Sequence, residues 1–588
     1  MSSQPDLRIG VDFGATFTGV SWATPKEEDK RTKIVTRWPG QTEEHSKVPT
    51  VLSKHGSGTN IKWGFLCKDI ADDQTWKLFK LLLEPATYQK ESSREVRGPW
   101  IPETIDEVYG VVVAYLGQIY IRISNIIPEL IKQNHHFSVT LRNKTWDSMK
   151  VEFVFSTPAQ WEAPVSQCFR HLIFRSGFGK IKNHSAVLGL TEAEAIVYHT
   201  CNAQKTTGHQ VQNDNIILSI DAGDVTTDLA FVKKFNDSVT LEEISPVTGI
   251  GVGSIRIDGR FADLIEERME RYPTVCSHLP VDFPVKASQS NGFQDWKHIF
   301  GRELCEDLDV CSTTVAGGNG YTHKKFRIHD GELFFTRAEL KGCLDETLER
   351  IKKHIQYALQ LWKNRKNQLV DYIVLSGGLG GSDYVFEELV AYINSLAAKR
   401  DSRLVGVQFL RTAGDTRTAV VSGLLGWRND NAQALREYIA RASYGIVVRN
   451  PPPSLLSASD FITQDGRVKW IVKYGSYIKY FQPITVKLTK YFNKNDPWTW
   501  TEEVMWLDKE ERILPPRKIH AEKRGGEVLY RVDLGVVEGS TKLETVTSFM
   551  DSMVYLKCDF ELALMIGPSG DCVVTVSKNT LKLTEREP

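Results

Sequence analysis

The spacing of apolar residues changes character near residue 445. Before that point, short β-rich apolar runs alternate with longer stretches of helical period, which reads as an α/β chain. Apolar runs flank Gly14-Ala15-Thr16 on both sides, and further along they flank Gly223-Asp224-Val225-Thr226 in the same way. Each unit reads as strand, tight turn, strand. Val151–Ser156 reads as a strand that ends at Thr157-Pro158, with a helix expected over 162–176. Helical period also marks 104–132, 256–272, 336–363, 384–398 and 416–427. In the third of these, Leu344, Leu348, Ile351, Ile355 and Leu359 share one face. Thr191 with Glu194 has the spacing of a reciprocal helix cap. Tyr372–Ser376 is a buried strand closed by Gly377-Gly378, and 405–410 is another strand. After Asn450-Pro-Pro-Pro the period becomes two. Ile484, Val486 and Leu488 alternate with Thr485, Lys487 and Thr489. Val554 to Leu564 alternate in the same way, and Gly567–Asp571 turns that strand back. This is the pattern of a half-buried antiparallel β domain.

Composition narrows the classes. The 588 residues exceed one hydrophobic core, so several subdomains are expected. Lys plus Arg and Asp plus Glu are both 73, a formal net charge of zero, which argues against a nucleic-acid partner bound through bulk charge. With 41% hydrophobic residues and no apolar run near the ~20 of a bilayer span, no membrane partner is expected. The opening Met1-Ser-Ser-Gln-Pro-Asp has neither a basic nor an apolar leader. The nine Cys are scattered without a Cys-x-x-Cys pair. Together these give a cytoplasmic expectation with reduced thiols.

The two turns carry the candidate chemistry. A Gly lets the backbone approach a phosphate closely. Successive turn N–H groups form an anion-binding concavity to which a Thr hydroxyl adds a donor. An Asp at the preceding strand end, here Asp12 or Asp221, can hold the water shell of Mg²⁺. Two such units imply two similar lobes facing each other across a nucleotide.

Five segments in order extend this reading. Asp12-Phe-Gly14-Ala15-Thr16-Phe17 resembles the first phosphate motif of the actin-like ATPases, and of the 70-kDa heat-shock family in particular. Gly64-Phe-Leu-Cys-Lys68 resembles the segment with that family's active-site lysine. Thr191-Glu192-Ala-Glu-Ala resembles the segment with its glutamate, Asp221–Asp228 the second phosphate motif, and Ser376-Gly377-Gly378-Leu379 the adenosine motif. Arg441-Ala-Ser-Tyr444-Gly445 resembles the entry to the β domain in the divergent branch without a helical lid. The resemblance covers about residues 5–445.

The fold class it implies is a two-lobed actin-like ATPase fold with duplicated ribonuclease-H-like lobes, followed by an antiparallel β domain. Lobe I is expected over 1–210, with an insertion at 46–150 and a returning helix at 412–440. Lobe II is expected over 211–411, with an insertion at 259–339, and the β domain over 441–588. The ligands implied are ATP or ADP with Mg²⁺, the metal held through water by Asp12 and Asp221. Lys68, Glu192 and Asp228 take the catalytic roles. Nucleotide contacts come from Asp12, Gly14, Ala15, Thr16 and Phe17, from Gly223, Asp224, Val225 and Thr226, and from Gly377, Gly378 and Leu379. An extended peptide client and co-chaperones are the implied partners.

Three positions depart from the family pattern. Ala15 replaces a Thr, Asp224-Val225 replace Gly-Gly, and Gly381 stands where an adenine-stacking Arg is usual. Asp224 sets a carboxylate beside the expected phosphates, where like charges repel. Val225 tolerates a left-handed backbone poorly. The leading expectation is therefore a chaperone-like ATP-binding protein with slow hydrolysis. The alternatives are a nucleotide-binding regulatory or scaffold protein without turnover and, behind it, a small-molecule kinase of the same fold.

Overall fold

The computed structural model describes residues 4–586, apart from 57–59, 94–99, 159, 205–210, 235–240, 303–308, 366–367, 399–401, 413–414, 430–436, 449–465, 480–481, 494–496, 510, 512, 537–542, 548–552, 568 and 577–580. The proline-rich break after Asn450 lies outside the described residues.

Both expected hairpins form. In the first sheet, β1 (Leu7–Phe13) and β2 (Phe17–Ala23) are antiparallel. The short β3 (Lys33–Ile34) and β4 (Lys47–Pro49) both pair with β2. A separate ribbon joins β5 (Val51–Ser53) to β6 (Thr75–Lys77). On the other side of β1 lie β7 (Val151–Thr157) and β8 (His184–Thr191), both parallel to it, giving the order β3-β2-β1-β7-β8. The second sheet repeats this plan. Strands β9 (Ile216–Ala222) and β10 (Thr227–Lys234) form the hairpin and β11 (Leu241–Ile250) flanks it. After a small three-stranded sheet, β12 (Val310–Thr314), β13 (Ile328–His329) and β14 (Glu332–Thr336), come the parallel β15 (Tyr372–Ser376) and β16 (Gln408–Arg411). The order is β11-β10-β9-β15-β16. The chain is thus mixed α/β, with two sheets of one strand order and one pattern of strand directions.

Helix signals were local and hold closely. Thr191 N–H donates to Glu194 Oε2 at 2.8 Å as the helix Glu192–Gln204 begins. Thr336 and Glu339 make the same reciprocal cap for the helix Arg337–Arg365. The helix Ala419–Asn429 returns to the first sheet. There Ser21 Oγ donates to Val421 O at 2.8 Å. A Cβ on Gly423 would stand 1.8 Å from Ala195 O, so only Gly allows this helix to lie against Glu192–Gln204. One expectation needs correcting: the helix Ile105–Gln133 is long and apolar enough to cross a bilayer. Half of its apolar window is buried here, with Val112, Tyr115, Ile119, Ile123 and Ile127 in the first-sheet core.

The C-terminal part is all antiparallel. A ribbon pairs β17 (Glu437–Ile439) with β20 (Tyr477–Lys479). One sheet runs β19 (Arg467–Val472), β18 (Ser443–Val448), β22 (Thr499–Leu507), β23 (Glu527–Val536), β27 (Leu581–Arg586). The other joins β21 (Ile484–Asn493) to β25 (Val554–Ile566), whose far side carries β24 (Glu544–Thr547) and β26 (Cys572–Val576). Trp500 of the first sheet packs edge-on against Phe492 and Phe560 of the second, at 5.4 and 5.2 Å between ring centroids. The expected alternation holds from Cys558 to Leu564 but reverses at the start of β25, where Val554 is exposed and Tyr555 buried. This β unit shares a core with the α/β part: Ile196, Tyr198 and Trp427 belong to the same buried cluster as Tyr438, Tyr444 and Ile446. The β25–β26 turn docks at the end of β7. The Thr157 and Ser569 hydroxyls are hydrogen-bonded, and Cys572 N–H donates to Gln167 Oε1 at 3.0 Å.

Candidate functional site

The two hairpin turns meet. The Thr16 hydroxyl, from the β1–β2 turn, donates to the Asp224 carboxylate in the β9–β10 turn. Thr50 braces the first turn: its N–H donates to Thr16 O at 2.7 Å and its hydroxyl to Gly14 O at 2.9 Å. The second turn is closed by Gly223 N–H to Thr226 O at 2.9 Å. The helix Ile255–Arg271 starts on this turn. Ser254 N–H donates to Gly223 O, Ile255 N–H to Asp224 O, and Ser254 Oγ to Asp224 Oδ1 at 3.1 Å. A Cβ on Gly253 would fall 2.4 Å from the Asp224 carbonyl carbon, so this approach requires glycine. Val225 has no left-handed backbone, so its β-branch fits the turn without strain.

Behind the turns, carboxylates gather from both sheets. Asp12 is the penultimate residue of β1, with its side chain buried. Lys47 Nζ lies 2.7 Å from its Oδ2, and Ser156 Oγ donates to Oδ1 at 3.1 Å. Glu192, at the head of its helix, pairs with Lys80 Nζ at 2.8 Å. Lys80 is buried and lies over the Phe13 and Trp161 rings. In the second sheet Asp221 and Asp228 sit directly opposite each other across β9 and β10. Asp228 Oδ2 accepts from Thr226 Oγ1 at 3.1 Å, while Oδ1 is buried without a hydrogen-bond partner among the described residues. Gly249 faces Asp228 across β11, and a Cβ there would strike Oδ1 at 2.2 Å.

This crowding sets the charge states. Burial first, then Glu192, Asp228 and Asp12, hold Asp221 well above the usual carboxylate range. Burial and Glu192 push Asp228 up to about 7, against the pull of the Thr226 hydrogen bond and of Lys80. Burial works against the Lys47 ammonium, but Asp12, with Asp224 and Glu192 beyond it, outweighs burial and raises it above the ordinary lysine value. Five carboxylates thus crowd against the Lys47 and Lys80 ammonium groups, with the Arg441 charge acting on Asp228, and the crowding is relieved by protons held on Asp221 and Asp228.

Gly377 stands at the end of β15 with φ +89°. A Cβ there would meet Ala222 O at 2.2 Å and Asp221 Oδ1 at 2.6 Å. Gly378 passes beside Asp224, where a Cβ would be 3.2 Å from Oδ1, and Leu379 is buried beneath them. Ser376 Oγ, next to this turn, is a second buried polar atom without a partner among the described residues. Gly381, where the resembled family has Arg, abuts Thr416.

The structure therefore gathers Asp12, Thr16, Glu192, Asp221, Asp224, Thr226, Asp228, Gly377 and Gly378 around one region, with Gly14, Ala15, Phe17, Gly223 and Val225 completing the turns. Lys68 is not among them. It stands exposed at the end of the 3-10 turn Gly64–Cys67, and no ion pair joins it to the cluster. The lysine that reaches Glu192 is Lys80. Its signal was a lone charge inside the apolar run Leu78-Phe79-Lys80-Leu81-Leu82-Leu83. Lys47 was missed because its role depends on strand pairing. Among the described residues no three His, Cys, Asp or Glu side chains form a direct metal-binding group. The carboxylates suit a cation held through water, and of the two expected to do so Asp12 already carries Lys47. A separate concavity of about 860 Å³, lined by Glu28, Arg31, His136, Asn202 and Asn429 among others, shares no residue with this cluster. Compared with family models and with curated proteins, the sequence matches none of them.

Proposed function

We propose that the chain binds a nucleoside triphosphate, ATP, between its two α/β sheets in the manner of an actin-like ATPase, and that it turns the nucleotide over slowly. The observation that carries this reading is the meeting of two topologically equivalent hairpin turns through Thr16 and Asp224, in front of carboxylates from both sheets. In this reading, turn N–H groups face the phosphates, and the Thr16 and Thr226 hydroxyls do so on leaving Asp224 and Asp228, to which they donate here. Gly377 and Gly378 let the backbone pass beneath the nucleoside. The orphaned Asp228 Oδ1 and Ser376 Oγ are polar atoms that a bound ligand or its water would satisfy. Lys80, steadied by Glu192, orients the attacking water or the terminal phosphate, the role first expected of Lys68. Asp228 accepts the proton of that water. Were Mg²⁺ to accompany the nucleotide, it would supply Lewis-acid charge on the phosphates, and with Lys47 seated on Asp12 its water would fall to Asp221.

Asp224 favours slow turnover. It occupies the hydroxyls of Thr16 and Ser254, and it offers an acceptor where transferring phosphate needs donors. This same residue favours the second reading, a nucleotide-binding regulator without turnover. For the C-terminal sandwich we propose strand-wise capture of an extended peptide. Among the described residues β21 ends its sheet, and such an edge accepts a further strand.

Calorimetric titration with ATP, combined with hydrogen exchange, tests the reading. Saturable binding with slowed exchange near both Gly14 and Gly223 is expected. Protection at one turn only would overturn the two-lobe site.

A further inference from the structure

Lys47, Gly19, Asp12 and Ser156 form a row across four strands of the first sheet. Lys47 of β4 is the direct partner of Gly19 in β2, and Gly19 is the direct partner of Asp12 in β1. Directly paired residues share a face, and two strand spacings amount to roughly 9.5 Å. The Lys47 side chain crosses that distance by lying flat over Gly19. A Cβ on Gly19 would be 3.3 Å from Lys47 Cε, a tight contact, and 3.5 Å from Cγ, an ordinary one. The ammonium ends 2.7 Å from Asp12 Oδ2, while Ser156 takes the other oxygen. The side chains of Lys47 and Asp12 are 19% and 5% exposed, so the pair is not a surface accident. The corresponding row of the second sheet reads Gly249, Asp228, Asp221, Ser376, with no lysine and one carboxylate more.

We propose that the Lys47 ammonium is a built-in cation of the phosphate site, seated on Asp12 where a hydrated divalent ion would otherwise be held. The inference rests on the nucleotide reading above and deepens it: the ligand class is a nucleoside triphosphate bound largely without a divalent metal. A lysine is a compact point charge with three donors, able to bond Asp12 and a phosphate oxygen at once. It is tethered, so its charge does not depend on free Mg²⁺. The glycine beneath it keeps that path open, and a branched side chain such as valine at position 19 would crowd the lysine where it crosses.

The test has two arms on the full-length protein. In the first, ATP is titrated calorimetrically with Mg²⁺ and with EDTA. Wild-type affinity is expected to agree within about threefold, whereas Lys47→Met should lose at least about tenfold in EDTA and recover it with Mg²⁺. A wild-type protein that itself loses about tenfold or more in EDTA overturns the inference and leaves the nucleotide reading standing. If Lys47→Met does not fold, the wild-type comparison alone decides. In the second arm, Mn²⁺ is titrated without nucleotide and followed by its paramagnetic resonance signal. Wild type is expected to bind none saturably at sub-millimolar concentration, and Lys47→Met and Gly19→Val to gain one site. Equal Mn²⁺ binding by wild type and variants refutes the built-in cation. An absence of ATP binding under any condition refutes the nucleotide reading instead, and the Mn²⁺ arm then still decides whether Lys47 fills a cation position.

Discussion

Replacing Asp228 by Asn gives a direct measure of how hard the carboxylate cluster is held together. Asp228 is fully buried, faces Asp221 across the β9–β10 ladder, and leaves Oδ1 unpartnered among the described residues. Burial and Glu192 push its pKa up to about 7. A raised carboxylate pKa means that the folded state holds a proton the unfolded chain has released. Stability contributed by this group is therefore full at low pH and lost as pH rises from the unfolded value toward the folded one. At about 1.4 kcal/mol per pH unit, the interval from an ordinary aspartate at about 3.9 to about 7 amounts to ~4 kcal/mol, an upper limit. Asn keeps the shape and removes the charge. In urea unfolding, Asp228→Asn should match wild type near pH 4 and become progressively more stable above it. The gap should level off above about pH 7 at a few kcal/mol, within the ~4 kcal/mol limit. Asp221 titrates with Asp228, so the slope belongs to the pair. A gap that stays flat from pH 4.5 to 8, or a variant less stable than wild type at pH 8, refutes the reasoning.

Lys80→Met leaves the partly exposed Glu192 without its partner and should cost about 3 kcal/mol in chemical denaturation, whereas the exposed Lys68→Ala should stay within about 0.5 kcal/mol of wild type. Comparable losses for the two variants would reverse the assignment of the site lysine. Asp224→Gly combined with Val225→Gly should raise single-turnover ATP hydrolysis at least about tenfold, a barrier change of ~1.4 kcal/mol. A variant no faster than wild type would mean that this turn does not face the terminal phosphate. Gly423→Ala drives a methyl into Ala195 O and should lower stability by about 1–3 kcal/mol, read as a fall in the thermal midpoint. An unchanged midpoint would mean that the two helices separate at no cost.

What the sequence made legible was local. The hairpins announce themselves through apolar flanks and a Gly/Asp/Thr turn, and the cap at Thr191 through its spacing to Glu194. Both signals depend on neighbours in the chain. The lysines were harder because their partners are remote. Lys80 meets Glu192 across 112 positions. Lys47 reaches Asp12 only because β2 intervenes with a glycine at the crossing. Lys68 carried the right residue type in a similar-looking context, and only burial separates it from Lys80. The β unit was legible as period two, but its docking was not. The hydroxyl bond of Thr157 to Ser569 joins residues 412 positions apart, and no local pattern encodes it.

The return of Ala419–Asn429 to the first sheet has a consequence for how the protein is made. Ser21 and Val421, which bond to each other, are separated by 400 positions. At roughly 5–20 residues per second of synthesis, β1 and β2 leave the ribosome roughly 20–80 s before the helix that covers them. Once β8 has followed, Gly10 and Gly189 leave an apolar surface open until Leu425 and Leu424 of that helix come to lie against them. The nascent N-terminal half is thus a sticky intermediate by construction, and its yield in a cell depends on how quickly translation proceeds and on what shields that surface meanwhile.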